Sequence, residues 1–583
     1  MALRLSLKAP TIASAGSFIL LGGGPVTATI TEQGLTNLSL NGTTVLSGTL
    51  QAESSGTRFG IADTSLGSIV SRAVKSLSAN SAKVIHRHEN GTAVFLYTLK
   101  GEDLTIAMTV TPSVLVTVLG WTGLVGSWPD WQASVGLMGN TVMLLPTAGL
   151  TLFHPSPTTP IGAAYRIPTS GPNANQFGVC VYPINTGLVR TLVYWKNSGG
   201  PTAKPTVECF IAPSTFRYPG AMGVSGAAIA ATPVFYPGIH PGESYTVTWG
   251  IRVSQDTTWT HMLQPYRDQL RTTFGPCTYA ASRDDRPIAK SFPGGAEFLQ
   301  PITNPYGFST MGETFYRFDQ SATPYCDTFL PGLVASGAQG VIFWSLNGWD
   351  TRVPGVDGGG INYNCDVEIL PTEVEANRPV LLSRLQAGGL AMGREARPSI
   401  LRTRASWTAD RGLAIVGTSG ITLDDLLARF DAAIAQGFTH YYFDSFPGDF
   451  NDHLLLKALR DHWGSGAPLV YTEAATDVSA VYAGIYVECN VTIQPFRAGS
   501  VDASAGLNLP LLPIIRWLVA ATSVICNGIG ADPWSVPGYL DYLYDQKLTP
   551  LIHDQDPMFT PGLPALLATA NAAHLVNNQF PKD

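Results

Sequence analysis

Apolar and polar residues alternate through the first half of the chain. Val84-Ile85-His86-Arg87-His88, Ala93-Val94-Phe95-Leu96-Tyr97 and the run Leu104 to Val110 repeat the pattern at short intervals. Alternation with a period of two lets a strand bury one face and wet the other. Turn formers separate the runs, as in Glu89-Asn90-Gly91 and Lys100-Gly101-Glu102-Asp103. Thr191 to Trp195 and Ser244 to Val253 read the same way, and helical periodicity is almost absent. Residues 1–285 therefore predict a large antiparallel β-sandwich domain. It closes with an amphipathic linker helix over Thr260 to Phe274. Met1 to Gly24 reads as holding a short first strand rather than a cleaved signal, because Pro10, Ser14, Gly16 and Ser17 interrupt its apolar stretch.

Beyond residue 286 the pattern changes to strands alternating with helices. The predicted strands are Tyr306 to Ser309, Gly340 to Ser345, Leu390 to Gly393, His440 to Phe446, Pro468 to Glu473, Ile485 to Cys489, Leu511 to Trp517 and Ser523 to Cys526. Helices are predicted over Thr323 to Ser336, Thr372 to Ala387, Thr422 to Gln436 and Asp452 to Trp463. Thr422, Asp424 and Asp425 carry the helix-start signature of the third. Eight strands with intervening helices predict a (β/α)8 TIM barrel over residues 286–583. The rival, a doubly wound sheet, lacks a glycine fingerprint after any strand. The expected fold class is multidomain, β plus α/β: an N-terminal sandwich followed by the barrel.

Composition narrows the function. Hydrophobic residues make up 45% of the 583-residue chain and charged residues only 13%, which excludes a disordered protein. The net charge of −7, with no basic run, argues against nucleic acid as a partner. No membrane span is predicted, because the most apolar stretches are short or carry Arg516, Pro or Gly. The seven cysteines are scattered without CxxC spacing, so free thiols are expected, with a Cys180–Cys209 bridge as the alternative. His86 and His88 alternate on one strand as metal ligands do. No third ligand is evident, and neither a metal nor another cofactor is expected. The compartment stays open between cytoplasmic and particle- or surface-associated.

Two predicted strands end in carboxylates, Tyr442-Phe443-Asp444-Ser445 and Tyr471-Thr472-Glu473. Barrel enzymes present catalytic groups at the C-terminal ends of their strands. Two such acids on neighbouring strands suit retaining glycoside hydrolysis, which needs a nucleophile and an acid/base about 5 Å apart. Asp444 is the expected nucleophile and Glu473 the expected acid/base; Glu488, at the end of the sixth strand, is the alternative acid/base. Tyr442 and Tyr471 flank the acids and join the expected substrate-binding set. Trp344, Trp349 and Trp534 offer stacking platforms for sugar rings, and Asp350, Arg394, Arg497 and Asp532 offer hydrogen bonds to hydroxyls. Asn527 follows the last predicted strand. His553 to Asp556 read as a polar loop or part of a pocket rim.

The layout and the two strand ends resemble the retaining α-glycosidases that place a sandwich before a barrel, a group that includes α-galactosidases and endo-α-N-acetylgalactosaminidases. The resemblance implies a fourth-strand nucleophile, matched by Asp444. It implies an acid/base at Glu473 if the chain follows the endo-α-N-acetylgalactosaminidase branch, and at Glu488 if it follows the α-galactosidase branch. Many α-galactosidases carry a Lys two residues before the nucleophile, where this chain has Tyr442. The implied activity is hydrolysis of an α-linked oligo- or polysaccharide. A reading from another class is a surface or appendage protein whose degenerate barrel binds glycans or assembles as a homo-oligomer.

Overall fold

The structure, a computed structural model, describes residues 12–14, 16–53, 66–116, 119–128, 131–135, 164–168, 177–184, 190–196, 204, 206–212, 239–275, 286–291, 321–343, 346, 349–350, 361–362, 370, 372–396, 423–443, 450–472, 479–489, 517–519, 524–528, 539–545, 548–553, 557 and 560–577. These fall into two compact units, one ending at Phe274 and the other beginning at Gly275.

The first unit is built from two eight-stranded antiparallel sheets. One runs in the order Ile12–Ser14, Ser17–Leu21, Val26–Thr31, Gly34–Leu40, Thr43–Glu53, Leu119–Gly126, Thr206–Ala212, Arg190–Lys196. The other runs Trp131–Val135, Ala164–Pro168, Gly178–Pro183, Tyr245–Ser254, Asp103–Pro112, Gly91–Lys100, Ser81–His88, Ile69–Ser78. The alternation seen in the sequence is the cause. Along Asp103–Pro112 every second residue is buried, so Leu104, Ile106, Met108 and Val110 enter one core. That core also takes Ile30, Leu38, Leu46 and Trp121 from the other sheet. Trp121 meets Trp249 edge to face across it, with ring centroids 6.0 Å apart. Glu89-Asn90 and Gly101-Glu102 form the tight hairpin turns that their composition predicts.

The helix expected over Thr260 to Phe274 spans Trp259–Phe274 and buries Met262, Leu263, Tyr266 and Leu270. A polar clamp sits at its start. Arg252 donates to Asp103 through Nε at 2.9 Å and Nη2 at 2.7 Å, and through Nη1 to the His261 carbonyl at 2.7 Å. Glu102 accepts from the Ser254 hydroxyl at 2.8 Å and pairs with His261 at 2.9 Å.

The second unit contains eight parallel strands closed into a barrel. They are β1 (Ile288–Ser291), β2 (Gly340–Phe343), β3 (Ala391–Ala396), β4 (Phe438–Phe443), β5 (Leu469–Thr472), β6 (Gly484–Cys489), β7 (Val524–Gly528) and β8 (Thr549–His553). Helices α1 (Ala322–Ala335), α2 (Thr372–Ala387), α3 (Leu423–Ala435) and α4 (Phe450–Trp463) follow β1 to β4 in turn. Tyr539–Asp545, α5, precedes β8, and Leu563–Asn577, α6, follows it. Ser321 caps α1, its hydroxyl accepting from the Thr323 amide at 3.3 Å. Gly337 and Gly389 follow α1 and α2 with φ of +69° and +70°, the left-handed turn by which a helix hands over to a strand.

Six of the eight expected barrel strands correspond to observed ones, and two strands were not foreseen. The barrel begins at Ile288, where no strand was predicted, and ends with Thr549–His553, whose Pro550 weakens a strand reading. The strand expected at Ser523 to Cys526 is consequently the seventh, and Asn527 lies within it. Tyr306 to Ser309, Thr422 and residues 511–516 lie outside the described residues, and Trp517 stands in a helical turn. Cys180 and Cys209 are free and buried in different sheets, which removes the bridge between them.

Candidate functional site

Interior and exterior faces of the barrel can be assigned residue by residue. Ile288, Ile342, Tyr442, Leu469, Tyr471 and Leu551 form one buried cluster from five strands. Strand register extends it. Ile342 stands beside Gly393, Gly393 beside His440, and Tyr442 beside both Glu395 and Tyr471. Register partners on adjacent strands share a face. Gly393, Glu395 and His440 therefore belong to the interior. The opposite set, Phe343, Arg394 and Tyr441, is also in register. It faces the helices: Tyr325 of α1 lies 5.7 Å from Phe343, and Phe430 of α3 lies 5.3 Å from Tyr441.

This assignment moves Arg394. The sequence suggested that Arg394 and Glu395 follow the third strand, but β3 continues through both to Ala396. Arg394 is fully buried on the helix-facing side, with its guanidinium 5.1 Å above the Phe438 ring. Burial pushes the phenol of neighbouring Tyr441 up, and the Arg394 charge opposes that shift. Glu395, only 2% exposed, is the member of the pair on the interior. Sequence reasoning missed it because Gly393-Arg394-Glu395 reads as a polar strand exit. The available signal was spacing: Glu395 lies two residues beyond Gly393, on the same face.

Tyr442 and Tyr471 are both buried and adjacent in register, near the C-terminal ends of β4 and β5. In the sequence Asp444 and Glu473 each follow one of these tyrosines by two residues. Asp444, Glu473, Trp344, Arg497, Asp532 and Trp534 lie outside the described residues. The Glu488 backbone is the penultimate position of β6, in register with Asn527 of β7. Trp349–Asp350 is a two-residue strand paired with Ile361–Asn362, between β2 and α2. His553, read from the sequence as loop or rim, ends β8 in register with Lys290 of β1.

A cleft of about 440 Å³ lies at the other end of the barrel, lined by Arg286, Gln339, Ala391 and His440 among others. Arg286, Gln339 and Ala391 precede or begin their strands and His440 lies in the first half of β4, so the cleft is not at the end where barrel enzymes carry out chemistry. Among the described residues no three His, Cys, Asp or Glu side chains group as metal ligands do. His86 and His88 instead bond backbone carbonyls, of Glu32 at 2.9 Å and Gly67 at 3.0 Å.

The fold, antiparallel sheets followed by a parallel barrel, is one that solved glycosidase structures share. The α-N-acetylgalactosaminidase NagBb from Bifidobacterium bifidum, in complex with GalNAc, is 13% identical with a TM-score of 0.54, over 94% of this chain and 92% of its own. A quadruple mutant of that enzyme gives 12% identity and a TM-score of 0.59, over 97% and 93%. The GH36 α-galactosidase AgaB from Geobacillus stearothermophilus gives 10% identity and a TM-score of 0.50, over 98% and 86%. No protein-family model and no curated protein matches the sequence.

Proposed function

We propose that this protein is a glycoside hydrolase that cleaves an α-linked glycan with retention, on a complete (β/α)8 barrel. One observation carries the reading. Two buried tyrosines, Tyr442 and Tyr471, sit side by side in the barrel interior, and each precedes a carboxylate by two residues. In this reading the period-two alternation continues past Phe443 and Thr472, so that Asp444 and Glu473 would share the face of the two tyrosines. Adjacent strands lie about 4.8 Å apart. That spacing suits the roughly 5–5.5 Å between nucleophile and acid/base in a retaining site. The fold likeness to an α-N-acetylgalactosaminidase and an α-galactosidase supports the α linkage.

In this reading Asp444 attacks the anomeric carbon from the face opposite the leaving group. The glycosidic C–O bond breaks, and Glu473 delivers its proton to the departing oxygen. The glycosyl–Asp444 ester is then hydrolysed by a water that Glu473 deprotonates, which returns both groups to their starting states. Glu488 is the alternative proton donor.

A panel of aryl α- and β-glycosides tests this. Wild type is expected to release phenol from an α member, and Asp444→Asn to lose on the order of 10³-fold or more in kcat. The donor is found by comparing Glu473→Gln with Glu488→Gln. Losing the acid slows substrates with basic leaving groups far more than those with acidic phenols. Undiminished turnover by Asp444→Asn removes the nucleophile assignment. No release from any substrate moves the protein to the glycan-binding or structural class.

A further inference from the structure

His86 and His88 stand side by side inside the sandwich, both buried, with ring centroids 6.4 Å apart. Each ring is tied through one nitrogen, His86 Nε2 to the Glu32 carbonyl and His88 Nδ1 to the Gly67 carbonyl. A carbonyl only accepts, so those nitrogens carry the single proton of a neutral imidazole. The other two, His86 Nδ1 and His88 Nε2, are buried with no hydrogen-bond partner. A second proton on His86 would make a buried N–H with nothing to accept it. Arg72, its register partner on Ile69–Ser78, opposes a second positive charge there. The neighbouring strand presents Phe95, and Tyr97, whose phenol burial keeps protonated. Glu32 and Glu89 are exposed. Glu32 meets the ring through its main-chain oxygen, and Glu89 Oε2 accepts from the Ser68 amide at 3.1 Å.

The strand beside this pair is the one built to give way. Ile69–Ser78 ends its sheet and pairs on one side only, with Ser81–His88. It is exposed along most of its length, and the register shifts near both of its ends. Strands with so few buried contacts open locally before the rest of a domain. Three bonds hold the segment that leads into it, residues 66–68. They are the His88 tie to Gly67, the Glu89 amide to the Ser68 carbonyl at 3.0 Å and the Asn90 amide to the Leu66 carbonyl at 2.8 Å.

We infer that Ile69–Ser78 and its lead-in form a flap that acid releases, with His86 as the proton-sensitive catch. Opening gives both nitrogens of His86 to water and takes Arg72 away from the ring. A proton therefore binds the open form better than the closed one and shifts the population towards it. Release uncovers the hydrogen-bonding edge of Ser81–His88, on which another strand can pair.

Amide hydrogen exchange of the full chain at about pH 7.5 and about pH 5.5 tests this, each rate divided by the intrinsic rate at that pH. Protection of Ile69–Ser78, Glu89 and Asn90 is expected to fall about 10-fold, the effect of one histidine of ordinary pKa that titrates only in the open form. Low urea is expected to leave these amides unchanged and to speed exchange in Asp103–Pro112, because a local opening exposes little surface. Protection that holds at the lower pH, or a urea dependence equal to that of Asp103–Pro112, overturns the inference. His86→Gln keeps a donor for Glu32 and cannot titrate, so it is expected to remove the acid effect. The same 10-fold loss in that variant removes His86 as the catch. Where His86→Gln does not fold, His86→Phe gives the same comparison.

Discussion

His86 is fully buried in the sandwich core, its ring 5.4 Å from Phe95 and 6.4 Å from His88. Burial lowers its pKa from 6.5, the bond to the Glu32 carbonyl opposes the shift, and Arg72 and His88 add to it. The direction fixes a pH dependence. Well above pH 6.5 the ring is neutral in folded and unfolded chains alike, and the residue costs nothing. As pH falls below that value the unfolded chain binds a proton that the folded site resists. Stability then declines until the folded ring is protonated too. Urea titrations at about pH 7.5 and about pH 5.5 measure the decline, and His86→Phe is expected to show a smaller one. The sequence placed His86 and His88 on one strand face and favoured no metal. It did not reveal the carbonyls they bond, because Glu32 and Gly67 lie 54 and 21 residues away.

Elements were legible where a single period dominates. Asp103–Pro112, Tyr245–Ser254 and Trp259–Phe274 stand within a residue or two of their predicted bounds, since one face of each is buried throughout. Buried parallel strands were harder. β1 is four residues long, and β8 carries Pro550, so neither offers a periodic signal. β3 was cut short at its charged pair, which shifted Arg394 from an expected sugar contact to the helix-facing layer and hid Glu395. Side-chain clamps between elements were also invisible. Arg252 and Asp103 are neighbours in register but 149 residues apart in sequence. Asp103→Ala strands a guanidinium whose side chain is only 14% exposed. A loss of about 2–3 kcal/mol is expected from chemical denaturation, with Asp103→Asn recovering part of it.

At the scale of the whole molecule, the order of sheet and barrel was readable from the change in periodicity after residue 259. The chemistry was readable only as two strand ends. Closure of the barrel was not, because it is made by pairing β1 with β8, elements roughly 260 residues apart. That pairing also sets a schedule for synthesis. A ribosome adding about 5–20 residues per second needs roughly 13–50 s to travel from Ser291 to His553. Once β2 is made, β1 has it on one side and an open hydrogen-bonding edge on the other until β8 arrives. A chain stopped after Asp545 keeps that edge permanently, with a second one on β7. Open parallel edges pair with whatever strand they meet. Such a truncation is expected to elute as assemblies larger than the full-length protein, each nascent barrel completing itself with a neighbour's strand in place of its own last one.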